Sequence, residues 1–410
     1  MNSRERIIAA IHHRPVDRIP IDVGGTRQSG ISAFAYARLR AHLGLSDTPF
    51  KIFDLYQMLA EIEQTVADRF GADCVPLNRA AVAFGIPNTD FKPYALRDGT
   101  PVLVPGGFNP ITDSSGDLLI ERDGQPIAQM PHDGFYFDRL EKYPGAAHPD
   151  LRSWRPPKIA PADLDHYAHH AQALFTETDK AIIAAMGPPY ELFNGIGQGG
   201  FEDWMLTFAS EDQYVEDLYG LLVDTWIDNL IAFYQAVGDR VHIIQICDDF
   251  GTQHGPFLSV EMFREKLLPH YRRGLDWIHR HTPWKVMLHS DGAIFPLLDS
   301  IVEMGVDILN PVQTTAPGMI PAKLKQRFGD KLVFWGGSCD CQNALNQAIP
   351  SQIAAEVQQN LEIFSPNSGY VFASVHNIQA NVPPQNIVAL FDTVRSFTST
   401  HSSPVLSLPA

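Results

Sequence analysis

The stretch "KVMLHSDG", residues 285–292, decides how the chain is read. Val286, Met287 and Leu288 run straight into His289, Ser290, Asp291 and Gly292. An apolar run without alternation marks a strand buried on both faces, as in a parallel sheet covered by helices. Side chains alternate along an extended chain, so His289 and Asp291 project to one side and Ser290 to the other. Gly292 lets the backbone turn just behind them.

The same grammar of apolar run, polar or glycine residues and then helical pattern recurs along the chain. It appears in "RIPIDVGG" (18–25), "DCVPLN" (73–78), "AIIAAMG" (181–187) and "HIIQICDDFG" (242–251). It returns in "VDILNPVQ" (306–313), "LVFWGGS" (332–338) and "YVFASVHN" (370–377). Helical stretches at 211–238 and 350–364 lie between such runs. Eight strand-plus-helix units predict an α/β chain, a (β/α)8 TIM barrel with an N-terminal helix in "SRERIIAAI". Residues 97–140 break the rhythm with alternating runs and Ser-Gly and Asp-Gly pairs, which predict an inserted β-hairpin region. Residues 1–400 are read as a single barrel domain and 401–410 as a loose tail.

With 410 residues, 45% of them hydrophobic, and a formal charge of −16, the composition is that of an acidic globular protein. That charge argues against nucleic acid or an anionic membrane surface as partner. No run reaches the roughly 18 apolar residues of a membrane span, and the N-terminus lacks the apolar core of a signal peptide, so a cytoplasmic location is expected. Four cysteines make no disulfide framework in a chain of this size.

Barrel enzymes carry their working residues at the C-terminal ends of strands. That rule gathers Asp22, Asp248, Asp249, His289, Asp291, Asn310, Gln313, His376 and Asn377 on one rim. His289 and Asp291, joined by His376 from the last strand, form a candidate set of metal ligands. Two imidazoles and a carboxylate suit zinc first, or a non-haem divalent iron. The plainer alternative is a histidine held by a carboxylate in a structural hydrogen bond. Asp248 and Asp249 are candidate catalytic carboxylates, one as base or extra ligand and the other pointing back as a cap. Satisfied structural carboxylates are the alternative. Arg27, on the glycine-rich loop "VGGTRQSGIS", is a lone guanidinium suited to clamping a substrate carboxylate, or else a surface ion pair. Gln28, Asn310, Gln313 and Asn377 offer amides for positioning a substrate. Trp335 could wall the site or fill the core.

These stretches resemble the uroporphyrinogen decarboxylase superfamily over nearly the whole chain. The similarity runs from "RERIIAAIHHRPVDRIPID" through "CDDFGTQHGPFLSVEMFREKLLPHYRRGLDWI" and "VMLHSDG" to "GVDILNPVQ" and "HNIQANVPPQNIVALF". It implies a (β/α)8 barrel and two known chemistries. One is cofactor-free decarboxylation of porphyrinogens; the other is zinc-dependent methyl transfer involving a corrinoid on a separate protein. The decarboxylases follow Arg-Gln-Ala-Gly with a second arginine, but Ile31 stands in that place here. The methyltransferases bind zinc through His-x-Cys and a later cysteine. His289 matches, Asp291 replaces the first cysteine and His376 stands near the second.

The resemblance is therefore closest to the corrinoid-dependent methyltransferase-like branch. It implies a small, methoxylated substrate, a cobalamin-type corrinoid on a partner protein and room for a homodimer. The alternative is a metal-free decarboxylase or related lyase acting on a small carboxylic acid or a porphyrinogen-like substrate. A non-catalytic barrel that captures a tetrapyrrole ranks behind both.

Overall fold

Seven of the eight apolar runs become strands of one parallel sheet. The computed structural model describes residues 1–140, 148–195 and 201–397, so the tail read at 401–410 lies outside the described residues. The strands are β1 (Cys74–Pro76), β2 (Ala181–Ala185), β3 (Ile243–Cys247), β4 (Lys285–His289), β5 (Ile308–Asn310), β6 (Val333–Trp335) and β7 (Tyr370–Val371). They neighbour one another in sequence order, with a helix after most of them.

The run at 18–25 forms only a one-residue parallel bridge, Ile21 with Phe372. Its backbone nonetheless bonds both edges of the sheet. Asp22 N donates to Phe372 O at 2.8 Å and Phe372 N to Pro20 O at 2.9 Å, while Asp73 N donates to Ile21 O at 2.8 Å. Pro20 has no N–H to give to a ladder, which keeps this segment from forming a longer strand.

Continuous apolarity follows from two separate cores. Cys74, Ile183, Ile243, Met287, Ile308, Val333, Trp335 and Val371 gather on the inner face with Ile7 and Ala10 of the N-terminal helix Ser3–Ile11. The alternate residues Ile182, Ile244, Leu288, Leu309 and Phe334 join the outer core under the helices. Side-chain parity then fixes which residues look inward at the rim. His289 shares the parity of Met287, and Asn310 that of Ile308.

The N-terminal helix is started by an Asn2–Glu5 capping box. It is tied to the foot of the sheet by Arg6 Nη1 donating to the buried Asp73 at 2.6 Å.

Residues 97–140 carry Pro101–Val104, Ile111–Thr112, Leu118–Arg122, Gln125–Met130 and Asp138–Arg139. The last four make one antiparallel sheet. Pro101–Val104 instead pairs antiparallel with Lys92–Ala95 and parallel with Phe50–Asp54, in a second sheet that reaches back to Ile31–Ser32. Antiparallel structure thus begins well before residue 97. No helix among the described residues is long and apolar enough to cross a membrane.

Candidate functional site

His289, the last residue of β4, is 5% exposed and faces inward. Its Nε2 lies 3.6 Å from Asp291 Oδ2, and that oxygen lies 3.7 Å from His376 Nε2. One donor atom from each of the three residues falls within 4.8 Å of the others. Bonds of 2.0–2.1 Å around a tetrahedral zinc would set ligand atoms about 3.4 Å apart, so the three side chains fit a divalent ion with small adjustment. Burial lowers the pKa of His376, against the attraction of Asp291, which keeps its ring a neutral donor.

Asp291 is held by its backbone surroundings. Ser290 N donates to Asn310 O at 2.8 Å and Ala293 N to Thr252 O at 2.9 Å. Between them, Asp291 N donates to Asp249 Oδ1 at 2.9 Å and Gly292 N to Gln313 Oε1 at 2.9 Å. Four successive amides are therefore tied down, and the carboxylate is aimed before any ligand arrives.

The structure separates the two adjacent carboxylates. Asp249 stands beside the cluster through its bond to Asp291. Asp248 is buried on the other side, accepting from Phe193 N at 2.6 Å, Asn194 N at 3.0 Å and Tyr271 Oη at 2.6 Å. Burial pushes its pKa up, and those donors oppose the shift. The strand-end rule placed both on the rim; the alternation of side chains sends consecutive residues opposite ways.

Trp335 is fully buried in the inner core, and its Nε1 donates to Asp22 Oδ2 at 2.8 Å. It fills the inner core of the parallel sheet and is no wall to the site. Asn310 faces His289, with Oδ1 2.7 Å from Nδ1, and its Nδ2 donates to Trp335 O at 3.3 Å. Gln28 Oε1 accepts from Gln245 Nε2 at 3.1 Å. Gln313 also donates to Gln253 at 2.7 Å, and Asn377 to Gln57 at 2.6 Å. Gln28, Gln313 and Asn377 are each paired with another side-chain amide. Arg27 is exposed, 3.8 Å from Asp54. His254 is exposed in a turn.

Three residues at the site were not picked out from the sequence. Glu191, whose carboxylate accepts from Asn194 Nδ2 at 3.1 Å, lies close enough to Arg27, Asp249 and His289 to feel their charges. Burial raises its pKa, with Asp249 adding to the effect. It follows β2 by several residues and two prolines, so a rule restricted to strand ends passes over it. Cys247 ends β3 on the inward side beside Gln28. Burial pushes its thiol up to about 12. Cys341, next to the His376 backbone N–H and within range of Asp291, is raised to about 11 by burial.

Residues 139–397 match the family described as Uroporphyrinogen decarboxylase (URO-D). The chain belongs to this family of enzymes. Within the URO-D family it is 26% identical over 221 residues to the uroporphyrinogen decarboxylase of Azoarcus sp. (strain BH72), covering 52% of this chain and 57% of that protein. It is 23% identical over 279 residues to that of Dechloromonas aromatica (strain RCB), covering 64% and 74%. The chain thus spans less than two thirds of the Azoarcus relative. Among solved structures it is similar to a methyltransferase from Methanosarcina mazei, with a TM-score of 0.58 and 16% identity over 96% of this chain and 98% of that one. At that identity the likeness is one of fold.

Proposed function

We propose that this URO-D family member is a metal-dependent methyltransferase that moves a methyl group between a small methoxylated substrate and a corrinoid carried by a partner protein. The convergence of His289, Asp291 and His376 carries the reading. Residues 20–22 are taken as the eighth stave, closing a (β/α)8 barrel whose mouth holds these three side chains. A divalent ion bound there, zinc first, would supply Lewis acidity that makes a methoxy oxygen a better leaving group.

The protein's own groups do the rest. Arg27, exposed at the rim, clamps a substrate carboxylate. When the methyl group passes to the corrinoid, the electron pair of the broken O–C bond would stay on the substrate oxygen, which would take up a proton. Asp249 would manage that proton, a role supported by the bond its carboxylate accepts from the Asp291 amide. The paired amides of Gln57, Asn377 and Gln313 hold the walls in place.

The second reading, a metal-free decarboxylase or lyase, is favoured by the Arg27–Glu191–Asp249 grouping and by the names of the curated relatives. Metal content of the purified protein, followed by an assay of methyl transfer to a corrinoid protein against release of carbon dioxide, separates them. Bound metal with methyl transfer is expected. Carbon dioxide release from protein free of metal would overturn the proposal.

A further inference from the structure

The contact between His289 and Asn310 bears on which ring nitrogen of the imidazole carries its proton. β4 and β5 pair in parallel with His289 opposite Asn310, and both side chains face inward by parity. Both residues are buried, at 5% and 1% exposure. The amide of Asn310 has a donor end and an acceptor end, so its orientation must be read from its neighbours. One end lies 3.3 Å from the carbonyl oxygen of Trp335, which carries no proton. That end is the Nδ2 donor. The end facing His289 Nδ1 at 2.7 Å is then Oδ1, which also carries no proton. His289 Nδ1 must be the N–H. In a neutral ring, Nε2 is left with a bare lone pair directed at the space shared with Asp291 and His376.

We propose that Asn310 is a positioning residue that holds His289 in the Nδ1–H tautomer, with Nε2 free to serve as a ligand. Asn310 was first read as a group for substrate; its polar ends are spent on His289 and on the Trp335 carbonyl. The arrangement also explains why Trp335 is anchored through Nε1 to the buried Asp22. That second bond fixes the indole, and with it the end of β6 whose carbonyl orients the amide. The chain of contacts runs from Asp22 through Trp335 and Asn310 to His289, all of it at or below 5% exposure. An outer partner of this kind fixes the tautomer and ring orientation of a ligating histidine.

The inference uses the metal-site reading for its consequence, while its geometry stands without it. The test therefore has two readouts. First, long-range proton–nitrogen spectra of the metal-free protein with labelled histidine, taken at a pH where the ring is neutral, report the tautomer of His289; His289→Gln identifies its signals. The wild type is expected as Nδ1–H. The volume-matched Asn310→Leu should become a mixture or Nε2–H, and Asn310→Asp, which keeps the acceptor, should remain Nδ1–H. Second, zinc affinity by chelator competition should fall about 10–100-fold in Asn310→Leu and recover most of that loss in Asn310→Asp.

An Nε2–H tautomer in the wild type overturns the inference, even if Asn310→Leu fails to fold. So does an unchanged tautomer in Asn310→Leu. Wild-type protein that shows the Nδ1–H form but binds no zinc would sink the metal reading and leave the role of Asn310 intact.

Discussion

His376 Nε2 stands 3.7 Å from Asp291 Oδ2, although the two residues follow non-adjacent strands, β7 and β4, of the parallel sheet. Such a contact across the mouth requires the sheet to curl until its later strands face its middle. It also makes His376 the side chain on which the three-residue cluster depends. His376→Ala is expected to lower zinc affinity by at least about 100-fold, since even outer-shell losses cost 10–100-fold. Equilibrium dialysis with metal analysis checks this. Retention of a stoichiometric ion by that variant would mean the ion is held elsewhere.

Asp248 and Asp249 should part company when mutated. Asp248→Ala strands the amides of Phe193 and Asn194 and the hydroxyl of Tyr271 without their acceptor. A loss on the order of 3 kcal/mol is expected from leaving such buried donors unpaired. Asp249→Ala, by contrast, should leave denaturant stability within about 1 kcal/mol while lowering turnover, because only the Asp291 amide loses a partner. Urea unfolding of the two variants, paired with activity, decides the assignment; equal stability losses would merge the two roles.

Much of this was legible in the sequence because the strands obey one strong rule. Eight apolar runs predicted eight buried parallel strands, and seven of them form one parallel sheet while the run at 18–25 gives only a bridge. Several of the polar residues that end them, His289 and Asn310 among them, meet at one end of that sheet. His289, Asp291 and His376 were found because each closes or follows such a run. What escaped notice has physical reasons. The strand at Phe50–Asp54 is short and half-buried, and it gains its partners from residues 59–60 and 101–104, which no local pattern reveals. Glu191 reaches the site from a loop bent by Pro188 and Pro189, beyond the strand end. Trp335 was ambiguous between wall and core until the packing of the inner cluster showed it filling the interior of the parallel sheet. The pairing of Asn310 with His289 depends on strand register, which the sequence does not state.

Acid should weaken the fold through His242. Burial pulls its pKa down to about 4, with Arg4 adding repulsion, while its Nδ1 accepts the Ile182 amide at 3.0 Å. The unfolded chain binds a proton near pH 6.5, before the folded one does, so stability falls as pH drops from about 6.5 toward 4. The loss reaches up to about 3 kcal/mol from this ring alone. Unfolding midpoints at pH 7 and 4.5 measure it. His242→Gln should flatten that limb of the profile, and an identical acid limb in the variant would assign the effect to another group.

Gly292 is the hinge on which the aim of Asp291 rests. Its φ is +88°, a region that side chains with a Cβ rarely adopt, and a Cβ placed there would meet the Gly251 and Thr252 carbonyl oxygens at 2.6 Å. Both obstacles are backbone, on the loop after β3 that also supplies Asp249. They cannot swing aside as a flexible side chain would. Gly292→Ala must therefore push the two loops apart, and the Asp291 and Gly292 amides lose their bonds to Asp249 and Gln313. A destabilisation above about 2 kcal/mol is expected, with zinc affinity reduced at least about tenfold as Asp291 loses its aim. Gly124→Ala is the control. It has φ +72° but open space around it, so it reports the conformational cost alone, about 1 kcal/mol. Calorimetry and zinc competition on both variants make the comparison. If Gly292→Ala matched Gly124→Ala in both measurements, the tight packing of the two loops would not be what holds Asp291 toward the histidines.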